Sequence, residues 1–306
     1  MTVVFHSDPF VPFDEEPDNE EALNRSPAVG PGIGRSDAMT DDLLPTAVDA
    51  ARLRVGARPL PVGQWVSARD STWDATVAMK RRLIRTRPRE VVAAMEHSLE
   101  ACEEAAAGVM GSIGMEPGNA GGLDALIEAS VHVADDLCIL CPDRDGVPRL
   151  SAAVLCSPNR WRLADKMGGD MVAIHEPVAR YGDDLANPVR AMLARLSAER
   201  PVWRTNWGVA NHPSLFQPDT PPVTPGIDPA DLWFRVEWQT LRRLPVTGAV
   251  LFTIRTHVEK MSQFMSRDYA VVHEVADVIN KIPDDVARYK SIAPYREKLF
   301  AYLETR

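Results

Sequence analysis

Apolar residues follow a helical period in the first third of the chain. Between residues 73 and 111 they recur at three-to-four spacing, as at Ala78, Met79, Leu83 and Ile84, which is typical of an amphipathic helix. A break at residues 86–90 interrupts this pattern, which then continues over residues 91–110. After a glycine-rich break at residues 114–122, residues 123–136 predict another helix.

Five strand-like runs follow. Short apolar or alternating segments occupy residues 137–141, 150–156, 202–210, 232–244 and 249–258. The turn residues at 142–146 predict a hairpin between the first two runs. Predicted helices at residues 161–167 and 187–200 separate this hairpin from the last three runs. Residues 268–306 again predict helix, with a break near Pro283.

This order of elements predicts the fold class. Two strands, then helices, then three strands is the order of a PAS domain, so we expect an α+β fold with a PAS-like antiparallel sheet and flanking helices. Such a sheet can hold a ligand between one face and its helices. We expect four parts, namely an acidic Pro/Gly-rich tail (1–50), a helical N-terminal region (51–136), a PAS-like core (137–262) and a C-terminal helical tail (263–306).

Composition narrows the classes of function. The chain has 306 residues and a formal net charge of −9, which argues against a nucleic-acid partner because phosphate backbones are bound by clustered Lys and Arg. The apolar stretches are far shorter than the roughly 20 residues needed to cross a bilayer, and the first residues lack a secretion signal. The four cysteines are too few for a disulfide framework. We expect a cytoplasmic protein that binds neither nucleic acid nor membrane.

The run at residues 232–244 is the most informative for chemistry. Because strand side chains alternate between faces, one face carries Arg235, Glu237, Gln239 and Arg243. The other face carries Phe234, Val236, Trp238 and Leu244. The period alone allows two interpretations of the polar row, a solvated sheet surface or the lining of a pocket.

Two further segments contain candidate ligands. His175 precedes a proline-containing turn and then a helix. A neutral imidazole on a stiffened backbone is a suitable iron ligand, and a buried histidine bonded to backbone is the simpler alternative. In the run at 202–210, Arg204 and Asn206 share one face, and Trp203, Thr205 and Trp207 share the other. The first pair could donate hydrogen bonds to iron-bound oxygen, or the run could be an edge strand with packed tryptophans.

Other motifs carry less information. Cys138 and Cys141 have the spacing of a redox or metal pair, but they lie in a strand-like run without a second pair. The glycine run at residues 30–34 follows no strand and opens no obvious helix, so it does not predict a phosphate loop. The sequence contains no Cys-x-x-Cys-His motif for covalent heme. Any heme would therefore be bound non-covalently.

Several short sequence motifs along the chain resemble those of the heme-binding alpha subunit of the heme-dependent oxidative N-demethylase family. They begin with GARPL at residues 56–60, SPNRW at 157–161, KMG at 166–168 and IHEPV at 174–178. They continue with RTNW at 204–207, RVEWQTLRRLP at 235–245 and LFTIRT at 251–256. The motifs occur in the same order along the chain as in the family, and the motif at 235–245 is the longest and most specific of them.

The resemblance implies a function. It implies a PAS-like fold that binds heme b non-covalently and uses oxygen to demethylate a small secondary amine such as dimethylamine, with release of formaldehyde. The implied partner is a separate flavin and iron–sulfur reductase that takes electrons from a nicotinamide cofactor. Tetrahydrofolate is implied as an acceptor for the formaldehyde. We therefore expect an enzyme, a heme-dependent monooxygenase, whose substrates are a small amine and O2.

The resemblance also implies roles for individual residues. His175 would be the axial iron ligand, and Arg204 would donate a hydrogen bond to oxygen and stabilise its developing charge. Glu237 would orient or neutralise the alkylammonium substrate, while Arg235 and Gln239 would hold Glu237 or the heme propionates. Further contacts to the cofactor would come from Trp161, Lys166, Asn206 and Trp207.

Two other classes of function stay open at this point. PAS folds commonly serve as heme-based gas or redox sensors, but sensors usually carry an output domain and the sequence shows none. The third possibility is a non-catalytic binding subunit that keeps the fold without heme. An absorption spectrum of the purified protein separates this last class from the first two.

Overall fold

An eight-stranded antiparallel sheet organises the chain. The computed structural model describes residues 3–4, 39–46, 55–61, 63–176, 178 and 180–306. The strands are β1 (Val3–Val4), β2 (Arg58–Pro59), β3 (Val92–Met95), β4 (Asp136–Pro142), β5 (Pro148–Val154), β6 (Val202–Ala210), β7 (Trp233–Arg243) and β8 (Val250–Lys260). Their order across the sheet is β1-β3-β5-β4-β8-β7-β6-β2.

Helices lie before, within and after this set of strands. Before β4 the chain forms α1 (Trp73–Thr86), α2 (Pro88–Val91), α3 (Leu99–Ser112) and α4 (Gly122–Ser130). Between β5 and β6 it forms α5 (Leu163–Lys166), α6 (Met171–Ile174), a π-helical turn (Tyr181–Leu185) and α7 (Ala186–Arg195). After β8 it forms α8 (Met261–Phe264), α9 (Tyr269–Lys281), α10 (Asp284–Tyr289) and α11 (Arg296–Leu303). The fold class is therefore α+β, as predicted.

The five predicted strands are confirmed as β4 to β8, with ends within two residues of the prediction. The hairpin between β4 and β5 is also confirmed. In its turn the Asp143 carboxylate accepts hydrogen bonds from the backbone N–H groups of Asp145 and Val147, which is the usual way for aspartate to stabilise a turn. Strand β8 returns to pair with β4, so the last strand of this set lies beside the first.

Three of the predicted helices differ from the structure. Residues 91–110 do not form one helix, because Val92–Met95 is strand β3, which pairs with β5. All four β3 residues are buried, and Val92 and Ala93 belong to apolar clusters on opposite faces of the sheet. A short apolar run that is buried on both faces has no polar alternation, so periodicity does not distinguish it from a helix. The helix predicted at 123–136 ends at Ser130, and the helix predicted at 187–200 ends at Arg195.

Both faces of the sheet are covered. On one face, here called the crossover face, α5 to α7 pack against the strands in an apolar cluster that includes Leu163, Leu193 and Ile254. On the opposite, terminal face, α1, α3 and α4 cover one half of the sheet and α9 to α11 cover the other half. Among the described residues, no helix combines the length and apolar character needed to cross a membrane.

Part of the prediction lies outside the described residues. Most of the acidic tail at residues 1–50 belongs to this part, including the glycine run at 30–34. The division of the chain into four parts stays a prediction. Strand β3 nevertheless shows that the region 51–136 is not purely helical.

Candidate functional site

A row of polar side chains crosses the crossover face where β6 pairs with β7. Arg204 lies opposite Gln239, and Asn206 lies opposite Glu237. Arg204 Nη1 donates to Gln239 Oε1 at 3.2 Å. Glu237 Oε2 accepts from Gln239 Nε2 at 2.9 Å and from Asn206 Nδ2 at 3.3 Å. Because Glu237 and Gln239 are only 7% and 6% exposed, this polar row is a buried network and not a solvated sheet surface.

Arg235 continues the polar row on β7. Its side chain is 2% exposed, and its terminal nitrogens donate to the carbonyl oxygens of Ser157, Pro158, Ser214 and Leu215. Its Nε lies 3.9 Å from Glu237 Oε1. Burial lowers the pKa of Arg235 to about 10, and the Glu237 charge partly opposes this shift. Arg235 thus anchors two loops and places a positive charge beside Glu237, while Gln239 holds Glu237 directly.

His175 follows α6 and is fixed by the backbone of that helix. Its Nδ1 lies 2.8 Å from the Met171 carbonyl oxygen. A carbonyl oxygen only accepts hydrogen bonds, so Nδ1 carries the proton and Nε2 of the neutral imidazole keeps its lone pair. The imidazole stacks on the Tyr181 ring, with centroids 4.5 Å apart and planes 3° from parallel. The ring orientation and the tautomer are therefore both set by local contacts.

Charge links His175 to the polar row. The pKa of His175 is lowered to about 4, mainly by burial. The hydrogen bond to Met171 opposes this shift, and the charges of Arg204 and Lys166 contribute to it. The imidazole is therefore neutral at physiological pH. Burial also raises the pKa of Tyr181 to about 12, against the effect of Arg204. The buried Tyr181 hydroxyl has no hydrogen-bond partner within the described ranges.

The C-terminal segment supplies two groups that the sequence reasoning missed. Lys290 Nζ donates to the Trp207 carbonyl oxygen at 2.7 Å and to Asn206 Oδ1 at 3.3 Å. The pKa of Tyr289 is raised to about 12 by burial and then by the Glu237 charge. Residues 268–306 predicted a helix, but a helical pattern contains no information about which strand the helix end approaches. No local motif therefore signalled these two residues.

The structure brings most of the predicted cofactor contacts to the crossover face, but not all of them. Trp161 packs against the apolar cluster of this face, and the Lys166 charge acts on the His175 imidazole. The Trp207 ring, in contrast, packs in the cluster of the terminal face and lies 5.7 Å from the Phe234 ring centroid. Trp207 is adjacent to Asn206 in a strand, so its side chain points to the opposite face.

The cysteine spacing does not mark a shared site. Cys138 belongs to the cluster of the crossover face and Cys141 to a cluster of the terminal face. Burial raises the pKa of both thiols, which keeps them protonated and unreactive at neutral pH. The described ranges also contain no group of three or more His, Cys, Asp or Glu side chains placed to hold a metal ion.

The residues around His175 fit a heme. An axial histidine donates the N–H of its second ring nitrogen to a carbonyl or carboxylate, which fixes the tautomer and leaves one lone pair for iron. His175 makes this hydrogen bond with the Met171 carbonyl oxygen. The cluster beside it contains apolar side chains that suit a macrocycle, including Trp161, Met167 and Ile174. The orphaned Tyr181 hydroxyl is a further polar group that a bound cofactor or its water could satisfy.

A comparison with known families connects this site to a chemistry. The family described as "Haem-dependent oxidative N-demethylase, alpha subunit-like" matches residues 112–300, which is more than half of the 306-residue chain. The matched range contains β4 to β8 with the whole polar row, as well as His175, Tyr289 and Lys290. The chain therefore belongs to the heme-dependent oxidative N-demethylase alpha subunit-like family.

Proposed function

We propose that this chain is the heme-binding, oxygen-activating subunit of a monooxygenase that removes a methyl group from a small secondary amine such as dimethylamine. The observation that carries the proposal is the neutral His175 imidazole, whose tautomer is fixed by Met171 and which lies within the influence of the Arg204 charge. The order of β4 to β8, with helices α5 to α7 between β5 and β6, supports a PAS-like core.

In this proposal each group of the site has a task. His175 would hold heme b through Nε2, and Trp161, just before α5, and Lys166, the last residue of α5, would contact the cofactor. Heme would supply the centre at which O2 is activated for hydroxylation of the N-methyl group. Arg204 would donate hydrogen bonds to the reduced oxygen and stabilise its charge. The hydrogen bond from Arg204 to Gln239 would keep the guanidinium in position.

Glu237 would bind the amine. Its carboxylate is held by two amide donors, Asn206 and Gln239, which orient it, and the Arg235 guanidinium lies 3.9 Å away. An alkylammonium group would bind the same carboxylate as a second cation, at closer range. The reaction balances as dimethylamine, O2, two electrons and two protons giving methylamine, formaldehyde and water. The hydroxylated methyl carbon leaves as formaldehyde when its C–N bond breaks, and the electron pair of that bond stays on nitrogen.

The two electrons would come from a second protein. An alpha subunit implies at least one partner subunit, and we propose that this partner is a flavin and iron–sulfur reductase that oxidises a nicotinamide cofactor. Tetrahydrofolate would accept the formaldehyde. These partners would supply the two electrons of the reaction and take up the formaldehyde that it releases.

Heme binding is tested by absorption spectroscopy after expression with ample heme. We expect a Soret band that is lost or strongly shifted in His175→Gly and that returns when imidazole is added, because imidazole can replace the missing ligand. His273→Ala removes an exposed histidine that pairs with Glu304 and serves as the control. Absence of a Soret band in the wild-type protein would overturn the proposal, and an unchanged band in His175→Gly would exclude His175 as the ligand.

Catalysis is tested separately, by formaldehyde release from dimethylamine with O2 and a chemical or enzymatic reductant. We expect one formaldehyde for each two electrons consumed. A protein that binds heme and O2 but releases no formaldehyde from a panel of N-methyl amines would instead be a sensor.

A further inference from the structure

A second feature of the polar row is a cavity of about 260 Å³ at its far end. The walls come from β6, β7 and the loop between them, from the loop before α5, and from the end of α10 with the two residues that follow it. The lining residues are Asn159, Arg160, Asn206, Trp207, Gly208, Val209, Thr220, Arg235, Arg288, Tyr289, Lys290 and Ser291. Four of these are cationic, and within the described part of the chain this lining contains no carboxylate. Such a cavity favours a small anion.

Arg160 is the cation that most needs a counter-charge. Its Nη2 donates to the Val209 carbonyl oxygen at 3.0 Å, but its buried Nε has no partner among the described residues. Burial lowers the pKa of Arg160, and the groups that oppose this shift are the phenols of Tyr295 and Tyr289. A buried cation is stabilised mainly by an anion with matching hydrogen-bond geometry. A bound carboxylate would provide the negative charge and the hydrogen-bond acceptors that Arg160 lacks.

The backbone at the cavity is strained on two sides. Among the described residues, Arg160, Arg180 and Ser291 are the non-glycine residues with positive φ, and Arg160 (φ 63°) and Ser291 (φ 57°) both line this cavity. Left-handed backbone is unfavourable for residues with a side chain and tends to persist where a site requires it. Gly208 contributes to the same close packing, since a Cβ there would lie 3.1 Å from the Lys290 carbonyl oxygen.

The cavity is connected to the residue proposed to bind the amine. Asn206 lines the cavity, and its Nδ2 donates to Glu237 at 3.3 Å. Arg235 also lines the cavity, and its Nε lies 3.9 Å from Glu237. A ligand that spans this boundary would meet a carboxylate at one end and cations at the other.

From this charge pattern we infer that the substrate is an N-methyl amino acid, whose amine is bound by Glu237 and whose carboxylate is bound in the cavity by Arg160 and Lys290. The inference deepens the proposed function and rests on it. The cavity volume lies below the range typical of drug-sized ligands, which suits a small zwitterion and is too small for a porphyrin. For N-methylglycine, the substrate, O2, two electrons and two protons would give glycine, formaldehyde and water.

The test measures binding to the heme-loaded protein by isothermal titration calorimetry. The probes are N-methylglycine and N-methylglycinamide, which have the same methylamine group but differ in the carboxylate. We expect the wild-type protein to prefer the acid by roughly tenfold or more, as a charge-assisted hydrogen-bonded pair provides. Arg160→Gln should abolish this preference. Arg162→Gln should keep it, because Arg162 makes a surface ion pair with Asp219 at 2.5 Å in the same loop.

The outcomes separate the two proposals. Equal binding of acid and amide by the wild-type protein would overturn the inference, while formaldehyde release from dimethylamine would still support the proposed function. If the protein binds the acid in an Arg160-dependent manner but releases no formaldehyde, the result would support a carboxylate-binding site in the cavity and contradict the proposed reaction. If Arg160→Gln instead loses heme and the wild-type protein binds neither probe, the cavity holds a heme propionate and the inference is wrong.

Discussion

Two buried polar networks lie on opposite faces of the same sheet. On the terminal face, Arg255 is fully buried and donates to both carboxylate oxygens of Asp70, at 3.0 and 2.9 Å, and to Thr76. On the crossover face, Glu237 is held by the amides of Asn206 and Gln239. The first network pairs opposite charges through direct hydrogen bonds, whereas the second orients a carboxylate with neutral donors and has the Arg235 guanidinium 3.9 Å away.

The difference shows how two similar sets of residues can serve different purposes. Both Asp70 oxygens accept from Arg255 Nη2, and Oδ1 also accepts from the backbone N–H and hydroxyl of Thr72. Little of this carboxylate's capacity is left for a ligand, so the terminal-face network ties elements of the fold together. A carboxylate that is oriented by amides next to a cavity keeps much of its charge for a ligand. We therefore expect changes on the terminal face to affect stability and changes on the crossover face to affect binding and rate.

The largest expected effect is on the terminal face. Although burial alone would raise it, the pKa of Asp70 is lowered by the Arg255 charge and by hydrogen bonds from Thr72 and Arg255. Asp70→Asn leaves Arg255 buried without its counter-charge, which should decrease the free energy of unfolding by about 3–5 kcal/mol. Urea denaturation measures this change. The heme spectrum of the folded protein should stay as in the wild type.

A matched control lies four residues further along the chain. Asp74 forms an ion pair with Arg69 in which both side chains are largely exposed, at 88% and 71%. Asp74→Asn removes the same charge from a solvated pair and should change stability far less. Equal losses in the two variants would show that the terminal-face pair does not have the structural role assigned to it.

These two networks also show what the sequence could predict. Alternation along β7 placed Glu237 and Gln239 on one face and Trp238 on the other, and the structure confirms this, because strand period depends only on local geometry. The pairing of Arg255 with Asp70 joins residues 185 positions apart, and the approach of Lys290 to Asn206 joins residues 84 positions apart. Such contacts depend on the packing of helices on the sheet, which local patterns do not encode.

The second prediction concerns Asp136, whose charge acts on Arg235 beside the crossover-face network and on Lys80, which the charge of the terminal-face Arg255 also affects. Its carboxylate accepts hydrogen bonds from the backbone N–H groups of Cys156 and Ser157. Burial raises the pKa of Asp136 from 3.8 to about 6. The folded state therefore binds a proton on Asp136 more tightly than the unfolded state does. The stabilisation of the fold by this proton is complete below about pH 4 and is lost as the pH rises through about 6.

The expected size of this change is about 3 kcal/mol in the free energy of unfolding. Asp136→Asn keeps a neutral acceptor at every pH, so its stability relative to the wild type should increase between pH 4 and pH 7. Urea unfolding of both proteins over this range measures the difference. Parallel pH profiles would show that Asp136 titrates normally and does not couple the two networks.

The third prediction compares a buried glutamate on each face. Glu237→Gln keeps the shape of the side chain but removes the charge proposed to bind the amine, and the rate of formaldehyde release should fall roughly 100-fold. Glu259→Gln, on the terminal face, removes the charge of one of the two carboxylates paired with Arg267, at 2.9 Å, and leaves Asp41 in place. It should decrease stability without changing the rate for the folded protein. If the two variants lose rate equally, the crossover face is not the amine site.

The smallest expected effect is that of Arg204, because its proposed hydrogen bond to oxygen is one contribution among several. Arg204→Gln should keep the heme and decrease the rate of formaldehyde release roughly tenfold, since a hydrogen bond from a charged donor contributes about that factor. The KM for O2 should increase while the affinity for the amine stays constant, and steady-state kinetics at varied O2 separates these quantities. Arg242→Gln is the control, because Arg242 stacks over Trp65 at 4.9 Å on the terminal face. A change in amine affinity instead of the O2 dependence would show that Arg204 acts on Glu237 through Gln239 rather than on oxygen.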